Sequence, residues 1–142
     1  MSSLAILILT KNEEDNIVDV VKNAKKCTPE VLVIDSGSTD KTVELAQAHG
    51  AKVCFRAWTD DFAAQRNFAL TQTDADWVLY LDADERLNEE LIAAVRQVIE
   101  DGSMDKQYAL TRKSVAFGTT FNHGVLYPDH VARFFPRNRV KW

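Results

Sequence analysis

With 142 residues, 46% apolar and 27% charged, the chain is long enough for one domain with a true core and too apolar for global disorder. Its net charge of −4 divides into +5 over residues 112–142, where six basic residues face the single acid Asp129, and −9 elsewhere, a balance that argues against nucleic-acid binding. The longest apolar run, Leu4 to Leu9, has six residues against the roughly 20 of a membrane span and lacks signal-peptide flanks, so a cytoplasmic protein is expected.

That first run, rich in branched residues, reads as a strand buried on both faces. Asn12 then stands as a helix N-cap, with Glu13, Glu14 and Asp15 suiting the positive end of the dipole. Ile17, Val20, Val21 and Ala24 continue a helix to about Lys26, which Thr28-Pro29 breaks. Cys27 and Cys54 belong to no metal-binding spacing and read as small buried hydrophobes. Val31 to Asp35 is a second buried strand, and Ser36-Gly37-Ser38 turns the chain. A helix starts at Thr39 and Asp40 and stops at Gly50. Lys52 to Phe55 is a short third strand. A helix over about Asp61 to Thr71 turns Phe62, Ala69 and Leu70 inward. Trp77 to Leu81 is a fourth strand running into Asp82-Ala83-Asp84. Asn88 caps a last helix carrying Leu91, Ile92, Val95 and Val98 to near Gly102. Thereafter Tyr108 to Lys113, Val115 to Phe121 and His130 to Phe135 read as strands.

The alternation predicts an α/β fold: a Rossmann-like, mostly parallel sheet with helices on both faces over residues 1–105, followed by a short β-rich segment over 106–142. Sheets of this kind bind ligands at the carboxyl ends of their strands. Three polar clusters fall there: Thr10-Lys11-Asn12-Glu13, Asp35-Ser36-Gly37-Ser38 and Asp82-Ala83-Asp84-Glu85. Parallel strands would bring them to one crevice.

In the third cluster, alternate residues of an extended segment point the same way, so Asp82 and Asp84 can address one cation. Their mutual repulsion favours one, and Mg2+ or Mn2+ takes oxygen ligands from one or two carboxylates and substrate phosphates. Asp35 has two readings: it accepts hydrogen bonds from a base or ribose, or it organises its own Ser-Gly-Ser turn. Thr10 and Asn12 contact a nucleotide or cap the first helix. Arg66 reaches inward to a base or phosphate, or lies on the surface. His49 suits a helix C-terminus, and His123 and His130 read as structural. The basic end suits a phosphorylated substrate or an anionic membrane surface, or is a solvated face.

Ile8–Glu14, Val33–Thr42, Arg66-Asn67 and Trp77–Glu85 together, in this order and spacing, resemble family 2 glycosyltransferases of the GT-A fold. The Asp35-Ser36-Gly37-Ser38 form, with Asn122–Asp129 and Arg133–Phe135, resembles the branch that adds glucose to the inner core of bacterial lipopolysaccharide. The resemblance implies inverting transfer of a sugar from a UDP-sugar to a glycan or lipopolysaccharide-core acceptor, with peripheral contact to the inner membrane as an option. It places Thr10 and Asp35 at uridine with Arg66 nearby, Asn12, Glu13, Ser36, Gly37 and Ala83 along the nucleotide, Asp82 at the ribose or metal, and Asp84 at the metal. A base must take the acceptor proton. In this branch it is expected beyond Trp142, so the chain reads as the N-terminal portion of such an enzyme, or as a module that binds nucleotide without transfer. One acid of the common Asp-Asp-Gly-Ser is replaced by Ser36. A phosphoacceptor receiver would need an isolated strand-end aspartate with a later strand-end lysine. A nucleotidyltransferase would need a glycine-rich loop after the first strand, and Thr10–Glu13 has no glycine.

Overall fold

The computed structural model describes residues 3–59 and 62–101 and four short strands beyond them. Chain order is β1 (Leu4–Thr10), α1 (Glu14–Lys25), β2 (Glu30–Asp35), α2 (Thr42–Ala48), β3 (Lys52–Phe55), α3 (Phe62–Leu70), β4 (Trp77–Asp82), β5 (Arg86–Leu87) and α4 (Glu89–Asp101). Then come β6 (Ala109–Leu110), β7 (Val115–Ala116), β8 (Leu126–Tyr127) and β9 (Phe134–Pro136).

The main sheet has the order β3-β2-β1-β4-β9; its first four strands are parallel and β9 is antiparallel. Two small antiparallel ladders, β5–β7 and β6–β8, stand apart from it. Strand alternation splits the core into two layers. Ile6, Ile8, Val31, Val33, Leu79 and Leu81 pack under α1, α2 and α4, while Ala5, Leu7, Leu32, Ile34 and Val78 meet α3 on the other face. Helices thus cover both faces, as the sequence implied.

Cross-links seat the elements. Thr28, at the break after α1, donates its hydroxyl to the Leu4 carbonyl at 2.7 Å. Asn88 caps α4 by accepting the Leu91 N–H at 2.8 Å, the N-cap bond its sequence context implied. Trp77 is fully buried, its ring tilted 35° against Phe134 at 4.9 Å between centroids.

Two helix starts differ from expectation. Asn12 does not cap α1: it has φ 55°, a left-handed conformation that asparagine tolerates, and its carboxamide oxygen accepts the Thr39 N–H at 2.8 Å. α2 begins at Thr42 because Thr39 is committed to that bond and Asp40 accepts the Thr42 N–H at 3.0 Å from outside the helix. Of the helix-three residues expected inward, Ala69 is buried and Leu70 half-buried. Neither β5 nor β8 is legible as a strand in the sequence.

The junction between residues 1–105 and 106–142 lies outside the described residues. So do His123, His130, Asp129 and the basic residues Arg112, Lys113, Arg133, Arg137, Arg139 and Lys141, as do Asp61 and the Phe62 side chain. Among the described residues no helix is long and apolar enough to cross a membrane.

Candidate nucleotide-binding site

Register alone brings the three polar clusters together. Thr10 pairs with Asp35 and Leu9 with Asp82, so the ends of β2, β1 and β4 lie side by side on one edge. Neighbouring strands are about 4.8 Å apart, which sets the outer two roughly 10 Å apart. β1 and β4 are consecutive in the sheet but not in the chain, and the chain winds away from them in opposite directions, which opens a crevice at such edges.

The first two clusters are laced together. Asp35, 2% exposed, accepts the Thr10 hydroxyl at 2.8 Å and the Ser38 hydroxyl at 2.5 Å on one oxygen. Its other oxygen takes the Gly37 and Ser38 N–H groups at 3.0 and 2.8 Å. Burial pushes this carboxyl up, but the hydrogen bonds from Ser38, Thr10 and Gly37 outweigh it and hold the group below its ordinary value. Three of these bonds, from the Gly37 N–H, the Ser38 N–H and the Ser38 hydroxyl, are those of the turn-organising reading of Asp35; the fourth ties the turn to Thr10 on β1. Gly37 has φ 117°, which a side chain would strain. Ser36 donates both its N–H and its hydroxyl to the Thr10 carbonyl, at 3.0 and 3.1 Å. The Asn12 N–H reaches Ser38 Oγ and the Glu13 N–H reaches Thr42 Oγ1, each at 2.8 Å. The Glu13 carboxylate accepts from Asn16 Nδ2 at 3.1 Å. Asp40 is likewise held below its ordinary value, the lift from desolvation being outweighed by bonds from Thr42 and Glu14.

Beside this lattice opens a cleft of about 270 Å3, lined by Leu9, Thr10, Lys11, Glu13, Ile34, Ser36, Trp58 and Gln65. Thr10, Glu13 and Ser36 were sequence candidates; Trp58 and Gln65 were not. Gln65 lies four residues before inward Ala69, so helical spacing points it inward; Trp58 lies in the β3–α3 connection, where no periodicity applies. Gln65 is 1% exposed and grips Arg56 twice, donating to its carbonyl at 3.1 Å and accepting from its Nη1 at 2.9 Å. Arg66 is half-buried with its guanidinium 6.0 Å from the Tyr80 ring centroid, and its carbonyl accepts the Tyr80 hydroxyl at 2.8 Å. Its neighbour Gln65 lines the cleft.

At the end of β4 the chain makes a turn rather than continuing extended, closed by the Glu85 N–H on the Asp82 carbonyl at 3.0 Å. The extended-segment rationale for the acid pair is therefore corrected, although the outward–inward alternation survives: Asp82 and Asp84 are exposed, Ala83 and Glu85 buried. The Glu85 carboxylate accepts the Asp82 N–H at 2.9 Å. Two exposed carboxylates on one turn fit a hard divalent cation that keeps waters and takes its other ligands from phosphate. They do not fit a cation needing a full protein cage; among the described residues no three His, Cys, Asp or Glu gather for one. Burial pulls the nearby Arg86 guanidinium below its ordinary range, opposed by the charges of Asp19 and Asp84. Cys27 lies at the far edge, its thiol raised to about 11 by burial, with Arg96 lowering it in part.

Residues 5–130 match the family model described as glycosyl transferase family 2. An uncharacterized glycosyltransferase of Rickettsia typhi is 38% identical over 109 residues, covering 77% of this chain and 37% of its own length. The lipopolysaccharide core biosynthesis glycosyltransferase LpsC of Rhizobium meliloti is 32% identical over 108 residues, covering 68% of this chain and 39% of its own. The chain thus spans less than two-fifths of the length of these relatives. Glucosyl-3-phosphoglycerate synthase from Mycobacterium tuberculosis, solved with Mn2+, UDP and glucosyl-3-phosphoglycerate, superposes with a TM-score of 0.63 at 23% identity, over 75% of this chain and 42% of its own. S. aureus TarS does so at 0.62 and 23%, over 75% and 20%. These two likenesses establish the GT-A arrangement of the sheet. The matched span and the curated relatives together establish that the chain belongs to glycosyl transferase family 2.

Proposed function

We propose that this chain is the donor-binding region of an inverting glycosyltransferase that takes a sugar, glucose being the candidate, from a UDP-sugar and delivers it to a lipopolysaccharide-core or related glycan. The observation that carries this reading is the alignment on one sheet edge of a cleft walled by Thr10, Glu13 and Ser36 with the exposed acids Asp82 and Asp84 one strand beyond β1. The roughly 10 Å between the outer strand ends suits a nucleoside diphosphate laid across β1. The likeness to the lipopolysaccharide core biosynthesis glycosyltransferase LpsC and to the UDP-bound glucosyl-3-phosphoglycerate synthase supports the substrate class.

In this reading the base and ribose occupy the cleft. Thr10, Ser36 and Glu13 wall it, Gly37 and Asn12 fix the loops that carry Ser36 and Glu13, and Asp35 acts mainly by holding the turn. Arg66 stands behind, against Tyr80. Asp82, with Ala83 behind it, and Asp84 hold Mg2+ or Mn2+ at the diphosphate. Bound there, the cation supplies Lewis-acid stabilisation of the leaving diphosphate. Inverting transfer also requires a base that removes the acceptor proton. The setting is the cytoplasm, with peripheral contact at the inner membrane through the basic residues of 112–142.

Calorimetric titration with UDP, with and without Mn2+, tests the reading. Binding strengthened by Mn2+ and weaker for ADP or GDP supports it; equal affinity for all three, unaffected by metal, contradicts it.

A further inference from the structure

Arg86 sits two residues past Asp84, at the start of β5, and is half-buried. Its Nη1 donates to the carbonyls of Ala83 and Glu85, at 2.7 and 2.6 Å. Its Nη2 reaches the carbonyl of Asn16, in α1, at 3.4 Å. The first two bonds grip the backbone on which Asp84 stands; the third ties that backbone to a rigid helix. From the other side buried Glu85 holds the Asp82 N–H. A partly buried guanidinium carries a desolvation cost, and the turn already has its own closing bond from Glu85 to Asp82. What the guanidinium adds is direction: a planar fork meets several acceptors at fixed angles, which an ammonium cannot do.

We propose that Arg86 is a positioning residue for the acid pair, whose three-carbonyl grip holds Asp82 and Asp84 in one cation-ready arrangement before any cation arrives. The proposal rests on the metal reading given above. It also settles why a cation should stand so close to a cation-binding pair: geometry outweighs the charge repulsion, and that ordering is testable. Were charge the larger effect, removing it would tighten the cation; if geometry is larger, removing it weakens the cation whatever the charge left behind.

The test is Mn2+ titration of the chain with UDP present, read from loss of the free-ion paramagnetic signal, for wild type, Arg86→Lys and Arg86→Gln. Thermal melting without metal serves as the check on folding. Both variants should bind Mn2+ about tenfold more weakly, as is usual when the partners that orient metal ligands are lost, with melting points near wild type. Unchanged Mn2+ affinity in Arg86→Lys, or tighter binding in Arg86→Gln, would overturn the proposal. A parallel collapse of melting and binding in both variants would show a merely structural arginine and also overturn it. Asp84→Ala, run alongside, separates the two claims: if that variant keeps full Mn2+ affinity, the metal reading has failed and the positioning role falls with it.

Discussion

Asp35 ends the apolar strand β2 with a buried carboxylate. A charge at the end of an apolar strand is costly unless satisfied, and here three donors of its own turn and the Thr10 hydroxyl from β1 satisfy it. The folded-state carboxyl lies below its ordinary value. It therefore contributes stability that is complete above the unfolded value of roughly 3.9 and is lost as pH falls through the lower folded value. Asparagine can keep its carbonyl oxygen on the Gly37 and Ser38 N–H groups, but it then loses the charge and presents an amide donor where Asp35 accepts the Thr10 and Ser38 hydroxyls. Asp35→Asn should cost about 2–3 kcal/mol at neutral pH and flatten the acid side of the stability profile, as urea melts from pH 3 to 7 would show. The sequence announced the charge and its neighbours but not which donors would claim it, because Thr10 is 25 residues away and meets Asp35 only through strand register.

Among elements, the loop after β1 and the loop after β2 behave as one unit. Asn12 is its pivot: its left-handed backbone lets its carboxamide reach Thr39 while its own N–H meets Ser38. Glycine accepts such a conformation without strain, whereas a β-branched residue pays roughly 1–2 kcal/mol for it. Asn12→Gly should therefore melt above Asn12→Val, and both below wild type; equal melting of the two variants would remove the backbone argument. Helix propensity made Asn12 a cap, and a contact 27 residues distant overrode it. The turn after β4 tells the same story. Its acids were legible as Asp82-Ala83-Asp84, but its shape depends on Glu85 and on Arg86 reaching Asn16, 70 residues away. Apolar periodicity found the long elements within a residue or two because burial on a parallel sheet dictates it, except for the start of α2, which lies at Thr42 rather than Thr39. The two-residue strands β5 and β8 are too short to carry a period.

For the whole molecule, stability and site share a frame but occupy different ends of it. Trp77 begins β4 at the amino edge, packed on Phe134 of the antiparallel β9, while Asp82 ends the same strand at the site. Trp77→Ala should cost about 3–5 kcal/mol, a large share of the usual 5–15 for a domain. Its indole N–H has no partner among the described residues, so Trp77→Phe should cost clearly less; chemical denaturation measures both. That separation lets the site be altered without unfolding the chain, since the two acids of the turn are exposed and outside the core. The most direct measurement is UDP affinity of wild type and Asp84→Ala, each with and without Mn2+. Asp84→Ala should lose the Mn2+-dependent gain in affinity while melting like wild type; an unchanged gain would contradict the assignment of this edge as a metal-assisted diphosphate site.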